Sequence, residues 1–352
     1  MVAAFAVLLV AIQLATHLAG AAYHLTQLTM TAYYSLLIIG LCMLIGYAGQ
    51  ISLGHAGFFA IGGYVSAFLT THDLSPYQGG GLVSLLKKMG ALVGRTDFYG
   101  GGLLTVHPWV ACAAAILLTV AIAYLVGGPV LKLKGHYLAM ATLGFGIIIY
   151  RIVLGTEFLG AADGISDVPG FPLAPGLVIT GSSSLRVSNY YLAWGLVIIG
   201  MVLLLNLIQS RVGRALAAVH GAEDAAGAMG IPTARYKLNT FVLSAVFASL
   251  AGVFLTHYNG GIGPSEASVM KSVRYVAIVA IGGMANLWGS LVMSLLLNYL
   301  SLRGYFGTFD DTVFGAILIL IMLFAPDGLL RRHFFSDLRR MVSRSPADEE
   351  AS

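Results

Sequence analysis

Two stretches of this chain combine residue types that could handle a polar solute. The first, GYAGQISLGHAGFFAIGG from Gly46 to Gly63, sets Gln50, Ser52 and His55 among glycines inside an apolar run. The second, GGMANLWGS from Gly282 to Ser290, sets Asn286 and Trp288 among Gly282, Gly283 and Gly289. Glycine loosens a helix, while amides and hydroxyls bring donors and acceptors. Backbone released from a helix at membrane depth persists only where protein buries it or a watery cavity meets it. Its N–H and C=O groups can then stand in for water around a solute. Paired interruptions in two halves of an apolar chain are the best sequence pointer to a transport path. We therefore read Gly49, Gln50, Ser52, Gly54 and His55, with Gly282, Gly283, Asn286 and Trp288, as candidate path residues. Trp288 reads equally well as packing. Gly57, Gly62 and Gly63 read better as close-packing positions, because Gly62, Ser66 and Thr70 (and Gly63 with Ala67) recur every four residues and smooth one helix face.

Covalent chemistry lacks its parts. The sequence holds no Gly-x-x-x-x-Gly-Lys-Ser/Thr loop, so the chain has no P-loop for ATP, and it holds no His-Glu-x-x-His and no credible triad. Cys42 and Cys112 each stand alone in apolar segments and read as small buried hydrophobes, with no disulfide framework or metal site. His17 and His257 read as satisfied core or interface histidines, and Arg151 as a span-end side chain that snorkels outward.

The elements that must position the two stretches are membrane helices. Of 352 residues, 58% are hydrophobic and only 10% charged, far from the roughly 25% charged of soluble domains. Mean hydropathy is +0.87. The fold class is therefore an all-α polytopic integral membrane protein with about 8–10 membrane segments, some broken or re-entrant. Apolar runs fall near 2–22, 28–46, 54–71, 108–128, 136–154, 189–209, 238–258, 273–284, 288–302 and 312–326. The first twelve residues carry no Lys or Arg, so the opening run is read as a retained helix rather than a secretory signal.

Charge sets the orientation. Net charge is +4, yet the arginines flank apolar runs rather than forming a phosphate-binding stripe, which argues against nucleic acid. Arg211, Arg214, Arg235 and Lys237 place the 210–237 connector in the cytoplasm, together with the Arg-rich, then acidic tail 331–352. Residues 1–330 then form the transmembrane domain. The long connectors 72–107 and 155–188 fall outside, although Lys87, Lys88 and Arg95 in the first run against the rule. Parity requires 259–311 to start and end outside, so its nearly continuous apolar residues must dip in and turn back at Gly282–Ser290. The expectation is a pair of short helices.

The 210–237 connector is the most specific piece. Its Ala-rich, charged segment predicts a short surface helix ended by Gly230 and Ile231-Pro232. Within it, Asp224-Ala225-Ala226-x-x-x-Gly230 lies close to the Glu-Ala-Ala-x-x-x-Gly signature of ABC-transporter permeases, whose loop docks on an ATPase subunit. Small alanines permit close docking and charges set register, which nominates Arg214, Glu223, Asp224, Ala225, Ala226 and Gly230.

With these motifs, the chain resembles the branched-chain amino acid ABC permease family, in its longer M-type membrane subunit. The likeness runs from about Tyr33 to Leu330 through GYAGQISLGHAGFFAIGGY, LKGHYLAMATLGFGIII, DGISDVPG, the connector, AIGGMANLWGS and LFAPDGLL. It implies a bacterial inner-membrane subunit paired with a homologous permease. It also implies two cytoplasmic ATPase subunits that hold ATP and Mg, and a periplasmic binding protein; no cofactor is expected on this chain. His136, Ile147 and Val219-His220-Gly221 depart from the family pattern, which leaves urea, short amides and aromatic acids beside branched-chain amino acids as substrates. A passive channel would explain the breaks but not the connector. A proton-coupled transporter would hold a carboxylate within its spans, and few charges are expected at that depth.

Overall fold

The computed structural model describes residues 2–77, 88, 90–96, 102–133, 135–174, 176–305 and 307–324. The 331–352 tail, Lys87, Lys134 and the end of LFAPDGLL lie outside the described residues.

Each apolar run folds as one helix. They are α1 (Val2–Leu18), α2 (His24–Cys42), α3 (His55–Thr71), α4 (Pro108–Val130), α5 (His136–Gly155), α6 (Arg186–Gln209), α9 (Thr233–Asn259), α10 (Val269–Gly282), α11 (Leu287–Leu302) and α12 (Asp310–Phe324). Two short helices, α7 (Arg211–Gly221) and α8 (Glu223–Ala228), occupy the connector. Five helical segments are long and apolar enough to cross a bilayer: His24–Tyr47, α4, α5, Ser183–Gln209 and α9. The others are shorter. At 1.5 Å per residue, the 14 residues of α10 span about 21 Å, short of a hydrocarbon core of about 30 Å.

The centre of the molecule is α2, flanked by α9, α11 and α6. Nearly all of its length is buried, with Tyr33, Leu37, Ile38 and Ile39 fully enclosed. A helix apolar on every side belongs inside a bundle, and α2 meets that condition. Its neighbour α3 packs most extensively on α9. Small residues set the distance there: a Cβ on Gly252 would stand 2.0 Å from the Phe59 carbonyl, and one on Gly62 would stand 2.3 Å from the Ser249 carbonyl. Hydroxyls and imidazoles bridge this and neighbouring seams: Ser66 Oγ to His257 Nε2 at 2.7 Å between α3 and α9, Thr119 Oγ1 donating to Ser249 Oγ at 3.0 Å between α4 and α9, and Ser35 Oγ to Ser294 Oγ at 2.8 Å between α2 and α11. His257 also reaches the Pro169 carbonyl at 2.6 Å, so it is the satisfied core histidine expected. His17, by contrast, is exposed on α1, and the core reading does not hold for it. Both cysteines are buried and unbridged.

The connectors at one end carry more structure than an all-α reading anticipates. Three antiparallel two-stranded ribbons form among the described residues: β1 (Leu92–Thr96) with β2 (Gly102–Val106), β3 (Ile165–Ser166) with β6 (Gly261–Ile262), and β4 (Phe171–Ala174) with β5 (Leu177–Ile179). Arg95 reaches Asp167 at 2.9 Å and joins the two long connectors into one cap. Asp73 accepts hydrogen bonds from the Ser75 hydroxyl and from the Ser75 and Leu104 amides, which hold its carboxyl below the usual range. The opposite end carries α7 and α8.

Helices α10 and α11 form a hairpin. Near its open end the Arg274 guanidinium donates to Ser301 Oγ at 3.0 Å and meets Asp310 at 2.6 Å, so both ends lie on one side. The tip is Gly283–Asn286, where Gly283 takes φ +97°, a conformation glycine alone adopts readily. Gly282 and Gly289 let the two arms of the hairpin touch, since a Cβ on Gly289 would fall 2.0 Å from the Gly282 carbonyl. This is the pair of short helices that parity demanded.

Candidate functional site

The first interruption is built in three steps. Helix α2 widens into a π-turn over Met43–Tyr47, residues 49–54 leave helical geometry, and α3 begins at His55. Gly49 turns the chain at φ +66°. The Gln50 amide N–H bonds back to Leu44 O at 3.2 Å. Single π-turns inside helices recur at functional sites.

The new helix start at α3 exposes orphan N–H groups in the middle of the bundle, and neighbouring helices satisfy them. Leu53 N donates to Thr142 Oγ1 on α5 at 3.0 Å, and Ala56 N donates to Ser272 Oγ on α10 at 3.2 Å. Ser52 Oγ lies 3.0 Å from His55 Nδ1, and His55 Nε2 lies 2.7 Å from Ser244 Oγ on α9. Ser52, His55 and Ser244 are thus a closed buried chain. Gln50 is different. It is 1% exposed, and neither its Oε1 nor its Nε2 has a partner among the described residues. A buried amide with unmet donors and acceptor is costly, so one that persists calls for a water or a solute to complete it.

The structure brings the two interruptions together. A Cβ on Gly46 would stand 2.3 Å from the Met284 carbonyl, and Tyr47 OH donates to Ala285 O at 2.8 Å. Within the second interruption, Asn286 caps α11 by accepting from Gly289 N at 3.1 Å, and the Trp288 ring stands edge-on to Phe5 at 5.9 Å. Of Trp288's two readings, packing is the one visible. Gly54 touches α5, where a Cβ would lie 2.6 Å from the Thr142 carbonyl.

The first interruption also abuts the connector. A Cβ on Gly49 would stand 2.9 Å from His220 Nδ1 at the end of α7. This helix buries Gly213, Leu216 and Val219 and exposes Arg211, Arg214 and Ala218, so it lies along the surface. Arg214 donates to its own chain at Gln209 O, 3.3 Å away. In α8 the nominated residues divide. Glu223 turns inward to Lys237 at 2.7 Å and Ala226 is buried, whereas Asp224, Ala225 and Gly230 face out beside Met229, which is 84% exposed. Glu223 and Ala226 therefore anchor the segment to its own fold, and Asp224, Ala225 and Met229 form its outward face. Sequence reasoning passed over Met229.

Two ion pairs lie at the end of the bundle that carries the ribbons. Glu266 and Lys271 pair at 2.5 Å, and Tyr34 OH lies 3.2 Å from both Glu266 oxygens. Tyr34 stacks on Phe59, whose carbonyl touches Gly252, seven residues before the end of α9. Glu266 also lines one pocket with Asn259, Gly260 and Gly263, which places the pair beside the cap end of α9. Arg274 and Asp310 add a second pair nearby. The signal was present as Glu266 and Lys271 just before the 273–284 run and Arg274 at its start, and Glu266 sits in a connector that packs against α3 and α5.

Helices enclosing a buried central span, two interruptions that meet and a surface connector define a polytopic membrane permease. The chain belongs to the family described as the branched-chain amino acid transport system permease component, whose model matches residues 23–325. It is 31% identical to the high-affinity branched-chain amino acid transport permease LivM of Salmonella typhimurium, over 86% of this chain and 68% of that protein. It is 28% identical to LivH of the same organism, over 86% of this chain and 93% of that protein. BraD of Pseudomonas aeruginosa is 27% identical over 88% of this chain and 97% of its own length. No solved structure matches the chain.

Proposed function

We propose that this chain is the membrane-spanning permease subunit of an ATP-driven importer and forms the path for branched-chain amino acids delivered by a periplasmic binding protein. It performs no covalent chemistry. ATP and Mg belong to two ATPase subunits on the cytoplasmic face, a homologous permease completes the path, and the assembly sits in a bacterial inner membrane. The observation that carries this reading is α8, held to its own fold by Glu223–Lys237 while Asp224, Ala225 and Met229 face outward. A passive channel has no use for such a docking face. LivM and LivH are both permeases of one transport system by name, which supports a heterodimer. The apolar character of the described interior suits a net-neutral solute with a hydrophobic side chain, and urea, short amides or aromatic acids are the competing cargoes. Affinity purification of the tagged full chain from its native membranes tests the assembly. Recovery of a second permease and an ATPase in stoichiometric amount is expected; recovery of the chain alone, with passive leucine flux, would overturn it.

A further inference from the structure

The Glu266–Lys271 pair separates two cavities that the interruptions do not use. On the Glu266 side lies a pocket of about 350 Å³, within the range of small-molecule sites. Its walls combine Phe59, Leu255 and Ile262 with the carboxylates of Asp163 and Glu266. Asp163 opens the DGISDVPG motif, to which the pathway reading gives no role, and β3 of that motif pairs with β6 to shape the pocket. On the Lys271 side lies a cavity of about 40 Å³, bordered by Tyr34, Lys271, Tyr275, Asn298 and Ser301 and by Arg274, whose charge is already met by Asp310. A single water needs about 10–15 Å³, so this space admits a carboxylate group. Tyr275 lines it and is 1% exposed, and its hydroxyl has no partner among the described residues.

We infer that these cavities form one transit site for a zwitterionic amino acid, with the Glu266–Lys271 pair as its stand-in when empty. The substrate ammonium replaces Lys271 on Glu266, beside Asp163. Lys271 and the Tyr275 hydroxyl take the substrate carboxylate, and the apolar side chain lies on Phe59, Leu255 and Ile262. Two charges enter and two partners exchange, so each partly buried ion keeps an opposite charge beside it. The orphan hydroxyl of Tyr275 gains its missing bond in the same event. This inference rests on the importer reading above and assigns the substrate contacts at its outer end.

The assembled transporter in lipid vesicles, supplied with saturating leucine-loaded binding protein, tests the site. Tyr275→Phe removes a hydroxyl that the empty structure leaves unbonded, so its thermal midpoint should hold while the turnover of leucine uptake falls about threefold. The double change Glu266→Gln with Lys271→Met strands no charge and should lower turnover tenfold or more. In both variants, basal ATPase activity and the affinity for binding protein should match wild type. Wild-type turnover in Tyr275→Phe and in the double variant would overturn the assignment. So would weaker binding-protein affinity at undiminished saturating turnover, which would make the patch a docking surface instead. Should the double variant fail to insert, Tyr275→Phe alone decides. Failure of wild-type vesicles to take up any branched-chain amino acid would sink the importer reading, and this site with it, a result distinct from uptake that ignores the substitutions.

Discussion

Gln50 and Gly54 sit four residues apart and make opposite demands on the same interruption. Gln50 is buried with its amide unmet, so truncation removes a polar contact available to a solute without opening a structural bond. We expect Gln50→Ala to slow uptake and leave the order of substrate preference unchanged. A switch in preference would make Gln50 a specificity residue and end the loose-path reading. Gly54→Leu drives a side chain into the Thr142 carbonyl and Phe145, and should obstruct every accepted substrate alike. Steric contacts outweigh the hydroxyl bridges around α9. Interhelical hydrogen bonds in membranes average about 0.6 kcal/mol, whereas overpacking costs about 1–3 kcal/mol. Gly252→Val should therefore lower the detergent-solubilised thermal midpoint well beyond Ser249→Ala, although Ser249 bonds to Thr119. Equal shifts would refute the claim that close packing outweighs the hydroxyl bonds around α9.

The connector and the hairpin carry the arguments about single elements. Gly230 takes φ +82°, and a Cβ there meets nothing described within 4 Å, so bulk at this position strains the turn and reaches only a partner. Left-handed backbone costs a side chain about 1–2 kcal/mol, which makes Ala225→Trp the cleaner probe of docking. Ala225→Trp and Asp224→Lys should each abolish substrate-stimulated ATPase activity while membrane insertion survives; stimulation at the wild-type level would remove that residue from the coupling face. For the hairpin, single cysteines in a background lacking Cys42 and Cys112 should label from outside at positions 183, 265 and 301, and from inside at 222. Labelling of the Ser301→Cys variant only from the cytoplasm would break the topology. The helices themselves were legible because lipid-facing segments must be apolar for nearly their whole length, so each run from 2–22 to 312–326 marks one helix. The ribbons were not, since Ile165–Ser166 pairs with Gly261–Ile262 across nearly a hundred residues of intervening chain. The division within α8 was equally hidden: Glu223 and Asp224 are adjacent acids, and only the position of Lys237 turns one inward.

At the scale of the whole molecule, the interruptions, the connector and the cap form a continuous arrangement. His220 at the end of α7 adjoins Gly49, the 49–54 segment leads to α3, and α3 packs along α9 toward the Glu266–Lys271 pair. A load applied at α7 and α8 has a contiguous route to both proposed solute contacts. The central claim is that ATP hydrolysis on partner subunits drives import through this chain. The most direct measurement is uptake of labelled leucine into vesicles holding the assembled transporter, with binding protein outside and ATP either sealed inside beside the ATPase face or withheld. Uptake above the external concentration only with internal ATP, abolished by Asp224→Lys, is the expected result. Leucine equilibrating equally fast without ATP would contradict the account and leave a passive path in its place.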